Sequence, residues 1–125
     1  MSIPRAAGRA EVEAGLLVHD RDEIRSLMWD LVGIVRTDER LELARQRLQQ
    51  MAEQYRAIWS HSRLDPDLVE LRNLIHTALL IVRCARARRE SRGLHFTLDH
   101  PYRDNERCLH DTVVGGLPVP GQESA

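Results

Sequence analysis

The sequence predicts an all-α fold, an antiparallel up-down-up three-helix bundle with an irregular C-terminal extension. Three observations carry that prediction. Apolar residues recur at steps of three and four in three separate stretches. Helix-start residues precede each stretch: Asp20, then Thr37, then Asp65-Pro66. The breaks between the stretches are a few residues long, and short connections make consecutive helices antiparallel. With 125 residues the chain is the size of one domain. The reading divides it into a leader or linker over 1–19, a bundle domain over 20–114 and a flexible tail over 115–125.

The leader holds Pro4, Gly8 and Gly15 among scattered apolar residues, with room for one short helical stretch. The first bundle helix is expected over about 21–36. Asp20 is its N-cap, and Ile24, Leu27, Met28, Leu31, Ile34 and Val35 form its apolar stripe. Gly33 falls inside this helix, where glycine costs up to about 1 kcal/mol relative to alanine. Close approach by another group is the expected reason for it.

The second helix is expected over about 38–61. Thr37 caps it, and Asp38 and Glu39 meet its positive end. Its stripe is Leu41, Ala44, Leu48, Met51, Tyr55, Ile58 and Trp59, close to a heptad. The third helix is expected over about 66–92, opened by Asp65 with Pro66 at the first helical position. Gly93 is the expected left-handed residue that ends it. Its stripe, from Leu68 through Ala85, is wider than half a helix, which predicts the most buried helix of the three. At about 1.5 Å per residue the second and third helices span about 35 Å and the first about 25 Å. The first helix then leaves part of the groove between its neighbours uncovered. The leader, the C-terminal stretch or another protein surface must shield it.

Composition excludes several kinds of chemistry. All 18 basic residues are arginine and there is no lysine, so neither a phosphate-binding loop lysine nor a lysine Schiff base is available. Nineteen acidic residues leave a net charge of -1, which argues against a nucleic-acid coat or a membrane-surface binder. The longest apolar run, Ala78 to Val82, is far below the roughly 20 residues of a membrane span. Cys84 and Cys108, two thiols in a loop-poor chain, point to a reducing compartment, and the chain is expected to be cytoplasmic. No nucleic acid and no membrane are expected as partners.

No catalytic constellation stands out. His95, His100, Cys108 and His110 cluster after the third helix, but their spacing matches no zinc pattern, so no metal ligands are assigned. His76 and Cys84 lie among apolar residues of the third helix and are expected in the core. Arg83, Arg86, Arg88, Arg89 and Arg92 form the one marked charge cluster. Three readings stay open: a solvated face that complements the negative helix end, a surface that docks an anion or an acidic partner, and, weakest, a nucleic-acid contact, which the balanced charge and few aromatics disfavour.

Two stretches carry a family resemblance. The first is Leu27-Met28-Trp29-Asp30-Leu31-Val32-Gly33-Ile34-Val35-Arg36, followed by Thr37-Asp38. The second runs Ala87-Arg88-Arg89-Glu90-Ser91-Arg92-Gly93-Leu94-His95-Phe96-Thr97-Leu98-Asp99-His100-Pro101. Together they resemble the C-terminal helical domain of L-aspartate oxidase, shared more widely by the succinate dehydrogenase and fumarate reductase flavoproteins. The Leu71-Arg72-Asn73-Leu74 piece fits the oxidase branch too.

The resemblance implies a three-helix bundle, which agrees with the periodicity. It also implies a function for the full-length enzyme, the FAD-dependent oxidation of L-aspartate to iminoaspartate in quinolinate and NAD synthesis. Oxygen or fumarate accepts the electrons. In that family the catalytic arginines and histidines lie in flavin-binding and capping domains. This chain has seven glycines, and no Gly-x-Gly-x-x-Gly can be written with them. Hence no catalytic, FAD-binding or metal residue is carried over, and the chain is expected to be inactive alone.

What the resemblance does carry over is packing against a flavin-binding domain or subunit. Gly33, Arg36, Arg92, Gly93 and His95 are the matching positions, and Arg86 and Arg89 of the charge cluster join them as docking candidates. Self-association through an exposed groove is a second expected partner mode. The alternative function is a free-standing helical interaction module that docks through the arginine-rich end of the third helix.

Overall fold

A computed structural model describes residues 3–61 and 65–115, with side chains described over 16–59 and 65–115. Three helices make the bundle: α1 (Ile3–Val32), α2 (Asp38–His61) and α3 (Pro66–Ala87). Two short strands, β1 (Val35–Arg36) and β2 (Phe96–Thr97), and one turn of helix, α4 (Asn105–Cys108), complete the described elements. The fold is an all-α bundle. The tail expected over 115–125 lies, beyond Gly115, outside the described residues.

The helix α1 differs most from expectation. It starts at Ile3, so the supposed leader is helical and Asp20 is not a cap. Asp20 sits mid-helix, 5% exposed, and accepts a hydrogen bond from the Tyr55 hydroxyl of α2. The sequence upstream explains the extension. Ala6, Ala7, Ala10, Glu11, Glu13, Ala14 and Leu16 are strong helix formers, and Pro4 falls in the first turn, where its missing N–H costs nothing. Gly8 and Gly15, at about 1 kcal/mol each, do not outweigh that run. Leu17 enters the core. The groove left open in the sequence reading is therefore shielded in part by α1 itself.

At its other end α1 stops at Val32 rather than Arg36. A Cβ on Gly33 would collide with the Trp29 carbonyl oxygen, one turn back. The close approach expected at Gly33 is thus real, but it comes from its own helix end. Beyond it, Val35 and Arg36 run extended and pair in parallel with Phe96 and Thr97. Arg36 Nε closes the helix end by donating to the Val32 carbonyl at 3.3 Å.

Helix α2 has the expected bounds. Thr37 Oγ1 accepts from the Arg40 N–H at 3.1 Å, the expected cap. A second cap comes from far along the chain: Asp99 Oδ2 accepts from the Asp38 N–H at 2.6 Å. Helix α3 begins as expected, with the Asp65 side chain accepting from the Asp67 N–H at 2.9 Å and Pro66 in the first turn. It ends at Ala87, not Arg92. Arg88 is already extended, and Gly93, with φ 59°, supports the tight Arg92–His95 turn instead of a helix end.

The three helices share one core. From α2 it takes Leu41, Ala44, Leu48, Met51, Ala52 and Tyr55; from α3 it takes Leu68, Leu71, Ile75, Ala78, Val82 and Ala85. Both sets step by three and four, with Ala52 beside Met51 as the one addition, so the two helices contribute similar seams. Helix α3 is not buried all round, since Leu80 and Ile81 are 49% and 43% exposed. Each fully buried leucine or isoleucine contributes about 1.5–3 kcal/mol of apolar burial. No helix among the described residues is long and apolar enough to cross a membrane.

Candidate functional site

The chain after α3 carries almost no apolar core of its own. Polar side chains fold it back on the bundle, and their centre is Glu90, 0% exposed. Arg88 Nη1 donates to Glu90 Oε2 at 2.5 Å and Arg92 Nε to the same oxygen at 2.9 Å. Arg92 Nη2 and the Asp104 N–H donate to Oε1 at 3.0 and 2.9 Å. The Arg92 hydrogen bond, with help from Asp104 and Arg88, holds the carboxyl at about 2, well below its ordinary 4.5. Burial alone pushes the other way, so the donors win. A buried carboxylate survives only with such a donor set.

Arg88 extends the clasp. Its Nε donates to Thr112 Oγ1 at 3.0 Å, its Nη1 to the Cys108 carbonyl at 2.7 Å, and its Nη2 to the His110 carbonyl. One guanidinium thus fixes the 108–112 segment to the end of α3. Ser91 works on the other side. Its Oγ accepts from the Thr97 N–H at 3.0 Å and donates to the His100 carbonyl at 2.8 Å.

His95 ties the clasp to the end of α1. Its Nε2 lies 2.9 Å from the Arg88 carbonyl, and Arg36 Nη1 lies 2.7 Å from its Nδ1. A carbonyl can only accept and a guanidinium can only donate. The network therefore assigns a neutral ring with the proton on Nε2. Burial pushes the Arg36 guanidinium below its ordinary value. His100 Nε2 donates to Asp38 Oδ2 at 3.1 Å, beside the Asp99 cap.

These contacts redistribute the docking candidates. Arg36, Arg92 and His95 have their polar atoms engaged inside the chain. Gly33 shapes the α1 end and Gly93 the exposed tip of the clasp. Arg86 is paired with Glu42 at 2.8 Å, while the exposed Arg89 has no partner among the described residues. His76 is exposed, not a core residue, and stands edge-on to Trp59 with ring centroids 5.5 Å apart. Cys84 is half-buried. The residues that sequence reasoning did not single out are Glu90, Ser91, Asp99 and Asp104. The alternation Arg88-Arg89-Glu90-Ser91-Arg92 is the one local signal that could have found Glu90.

Two surfaces remain outward. At the α1 end, Trp29 is 77% and Ile34 80% exposed, and Val35 and Phe96, register partners in the strand pair, are also exposed. Along the far part of α3 runs an open groove lined by arginines. Metal-binding geometry is scarce. His95 and His110 have both ring nitrogens, and His100 its Nε2, against protein acceptors or donors. Among the described residues one group, His19, Asp20 and Glu23, brings ligand atoms within 4.8 Å of one another. There Asp20 already accepts from Tyr55 and Glu23 from Arg47.

The described residues form a helical bundle closed by a buried Arg-Glu-Arg clasp. The chain belongs to the family described as the fumarate reductase flavoprotein C-terminus, whose model matches residues 21–119. It is 48% identical over 89 residues to the L-aspartate oxidase of Vibrio cholerae, covering 71% of this chain and 17% of that protein. It is 49% identical over 86 residues to the L-aspartate oxidase of Pseudomonas aeruginosa, covering 69% of this chain and 16% of that protein. The chloroplastic L-aspartate oxidase of Oryza sativa subsp. japonica matches at 39% over 92 residues, 70% of this chain and 14% of that protein. The chain thus spans about one sixth of the length of the bacterial relatives.

The family is one of flavoproteins, yet the described residues do not fit a flavin site. Dinucleotide binding needs a strand, a glycine-rich turn and a helix N-terminus that receives the pyrophosphate. Here the two strands are two residues each, β1 leads into α2 through Thr37, and the N-terminus of α2 is occupied by Thr37 and Asp99. No chemical step is assigned to FAD on this chain.

Proposed function

We propose that the chain serves as the C-terminal helical domain of an L-aspartate oxidase. In this reading it packs against a flavin-binding domain that carries out the FAD-dependent oxidation of L-aspartate to iminoaspartate. The observation that carries it is the 48–49% identity to two bacterial L-aspartate oxidases over about 70% of the chain. The docking face draws on the exposed apolar residues of that end, Trp29, Ile34, Val35 and Phe96. An exposed aromatic and aliphatic patch of this kind marks an interaction surface. The clasp positions that face by fixing β2 beside β1. Both cysteines are free thiols, which suits a reducing compartment, and we place the protein in the cytoplasm.

The test uses the Vibrio cholerae relative cut to remove the segment that matches this chain. That truncated protein is purified with and without the chain. Retained flavin absorbance and aspartate-dependent peroxide are then measured. The chain alone is expected to be colourless and inactive, and to restore both signals to the truncated protein. Trp29→Ala with Phe96→Ala should weaken the restoration. If the added chain changes neither signal, the reading fails.

A further inference from the structure

Two histidines tie the post-α3 segment to the chain between α1 and α2. His95 meets Arg36 of β1, and His100 meets Asp38 at the start of α2. Histidine is the side chain whose charge ordinarily changes between about pH 5 and 8. Mild acid can therefore act on these two ties, and it acts on them in opposite senses.

The His95 ring is held in a form that acid removes. Its Nε2–H donates to the Arg88 carbonyl at 2.9 Å, and its Nδ1 accepts from Arg36 Nη1 at 2.7 Å. Neither role can be exchanged. The carbonyl has no hydrogen to give, and the guanidinium has no lone pair to offer. A second ring proton can go only to Nδ1. The new N–H would then face an Arg36 N–H at hydrogen-bond distance, with two cations in contact. Arg36 stays charged at neutral and acid pH. Its Nε is already engaged on the Val32 carbonyl at 3.3 Å, so its other end must give way.

No carboxylate compensates at the ring. The groups bonded to it are one cation, Arg36, and one neutral carbonyl. On its own segment, Glu90 is bonded to both Arg88 and Arg92. From the α2 side, Asp38 is bonded to His100, and Asp99 to the Asp38 N–H. Among the described residues, none of these three acids is bonded to His95.

His100 answers the other way. Its Nε2 lies 3.1 Å from Asp38 Oδ2, and a second ring proton turns that hydrogen bond into an ion pair. Between the two ties lies the strand pair, Val35 with Phe96 and Arg36 with Thr97. The clasp itself keeps its charge through mild acid, because the Glu90 carboxyl is held at about 2.

We propose that His95 is an acid-sensitive latch: protonation releases Arg36 and loosens β1 from β2, while His100 keeps the segment tied to α2. The latch follows from the ring hydrogen bonds and stands or falls without the aspartate oxidase reading. Val35 and Phe96 belong to the proposed docking face, so the latch also gives that face a pH response. That consequence alone rests on the docking reading.

The experiment takes the full chain from about pH 8 to about pH 5. It follows the His95 ring nitrogens by nuclear magnetic resonance and the protection of backbone amides by hydrogen exchange, corrected for intrinsic rates. At the alkaline end the ring should show the Nε2–H tautomer. As the ring gains its second proton, the Leu98 N–H, which donates to the Arg36 carbonyl at 2.9 Å, should lose protection roughly tenfold. Leu48 in the core should hold its protection. His95→Gln keeps one acceptor and one donor without a titrating ring. That variant should match the parent at the alkaline end and lose the acid response. His100→Gln should retain the response. The proposal is overturned by an Nδ1–H tautomer, by a ring that stays neutral to about pH 5, by Leu98 protection that ignores ring protonation, or by an acid response that survives in His95→Gln or vanishes in His100→Gln.

Discussion

The bundle and the clasp are held by opposite physics. The bundle closes on a seam of residues such as Leu48, Leu71, Ile75 and Val82, each 0% exposed. Its stability is non-directional and nearly independent of pH. The clasp closes on Glu90, equally buried, through four donors at set positions. Its stability depends on geometry and on one charge. A core position tolerates another apolar residue of similar volume. Glu90 tolerates neither a shorter acid nor a neutral residue without leaving Arg88 and Arg92 short of a partner.

The largest expected effect comes from the bundle. Leu48→Ala or Ile75→Ala should cost about 2–5 kcal/mol, because each leaves a cavity in a closed seam. Urea unfolding should show the loss as a lower midpoint for the whole chain. Next comes Glu90→Ala, at about 3 kcal/mol, since it leaves two guanidiniums without their carboxylate but both are partly exposed. Its signature should be local. Hydrogen exchange should speed up at Ser91 and Thr97 far more than at Leu48 or Ile75. Equal loss of protection in both regions would erase the distinction drawn between them.

Acid titration sharpens the same contrast. Glu90 is held at about 2 in the folded chain against an ordinary 4.5. Its ionised form therefore favours folding fully above pH 4.5, and that contribution fades as pH falls from 4.5 toward 2. The clasp amides should lose protection across this window before the seam amides do. The Glu42 carboxyl is also held at about 2, chiefly by the Arg45 hydrogen bond. Its side chain is 32% exposed and lies outside the clasp, so Glu42→Gln should move the clasp titration little.

Smaller effects fall at the helix starts. Asp65→Ala removes a local cap from α3 and should cost about 1 kcal/mol. Asp99→Ala removes a cap supplied from across the chain, at about the same cost, and should also loosen the His100–Asp38 contact. Comparing the two by hydrogen exchange separates a local cap from a long-range one. The second should expose amides around Thr97 as well as the start of α2.

Much of the bundle was legible because its signal is local. The steps of three and four from Leu41 to Tyr55 and from Leu68 to Ala85 lie within single helices and reappear as the buried seam. Asp65-Pro66 and Thr37 capped as their types require. Asp20 misled for an instructive reason. It has the chemistry of a cap, but the alanine- and glutamate-rich run before it keeps the backbone helical, and Tyr55 takes its carboxylate instead. The ends of α1 and α3 were misplaced in the same way. Val35 and Arg36 pair with a strand some sixty residues on, and Arg88 turns out of the helix to reach Glu90 and Thr112.

The sequence by itself determined three helices, the face α2 turns inward, and the family to which the chain belongs. Those follow from periodicity, helix-start chemistry and contiguous motifs, all readable along one stretch of chain. Only the tertiary structure decided where α1 and α3 stop, that Glu90 is the hub of the post-helix segment, and which arginines are left free. A polar side chain is satisfied by whichever partner the fold brings near. The partners here, Arg36 with His95 and Asp38 with Asp99, are separated by about sixty residues, beyond the reach of any local pattern.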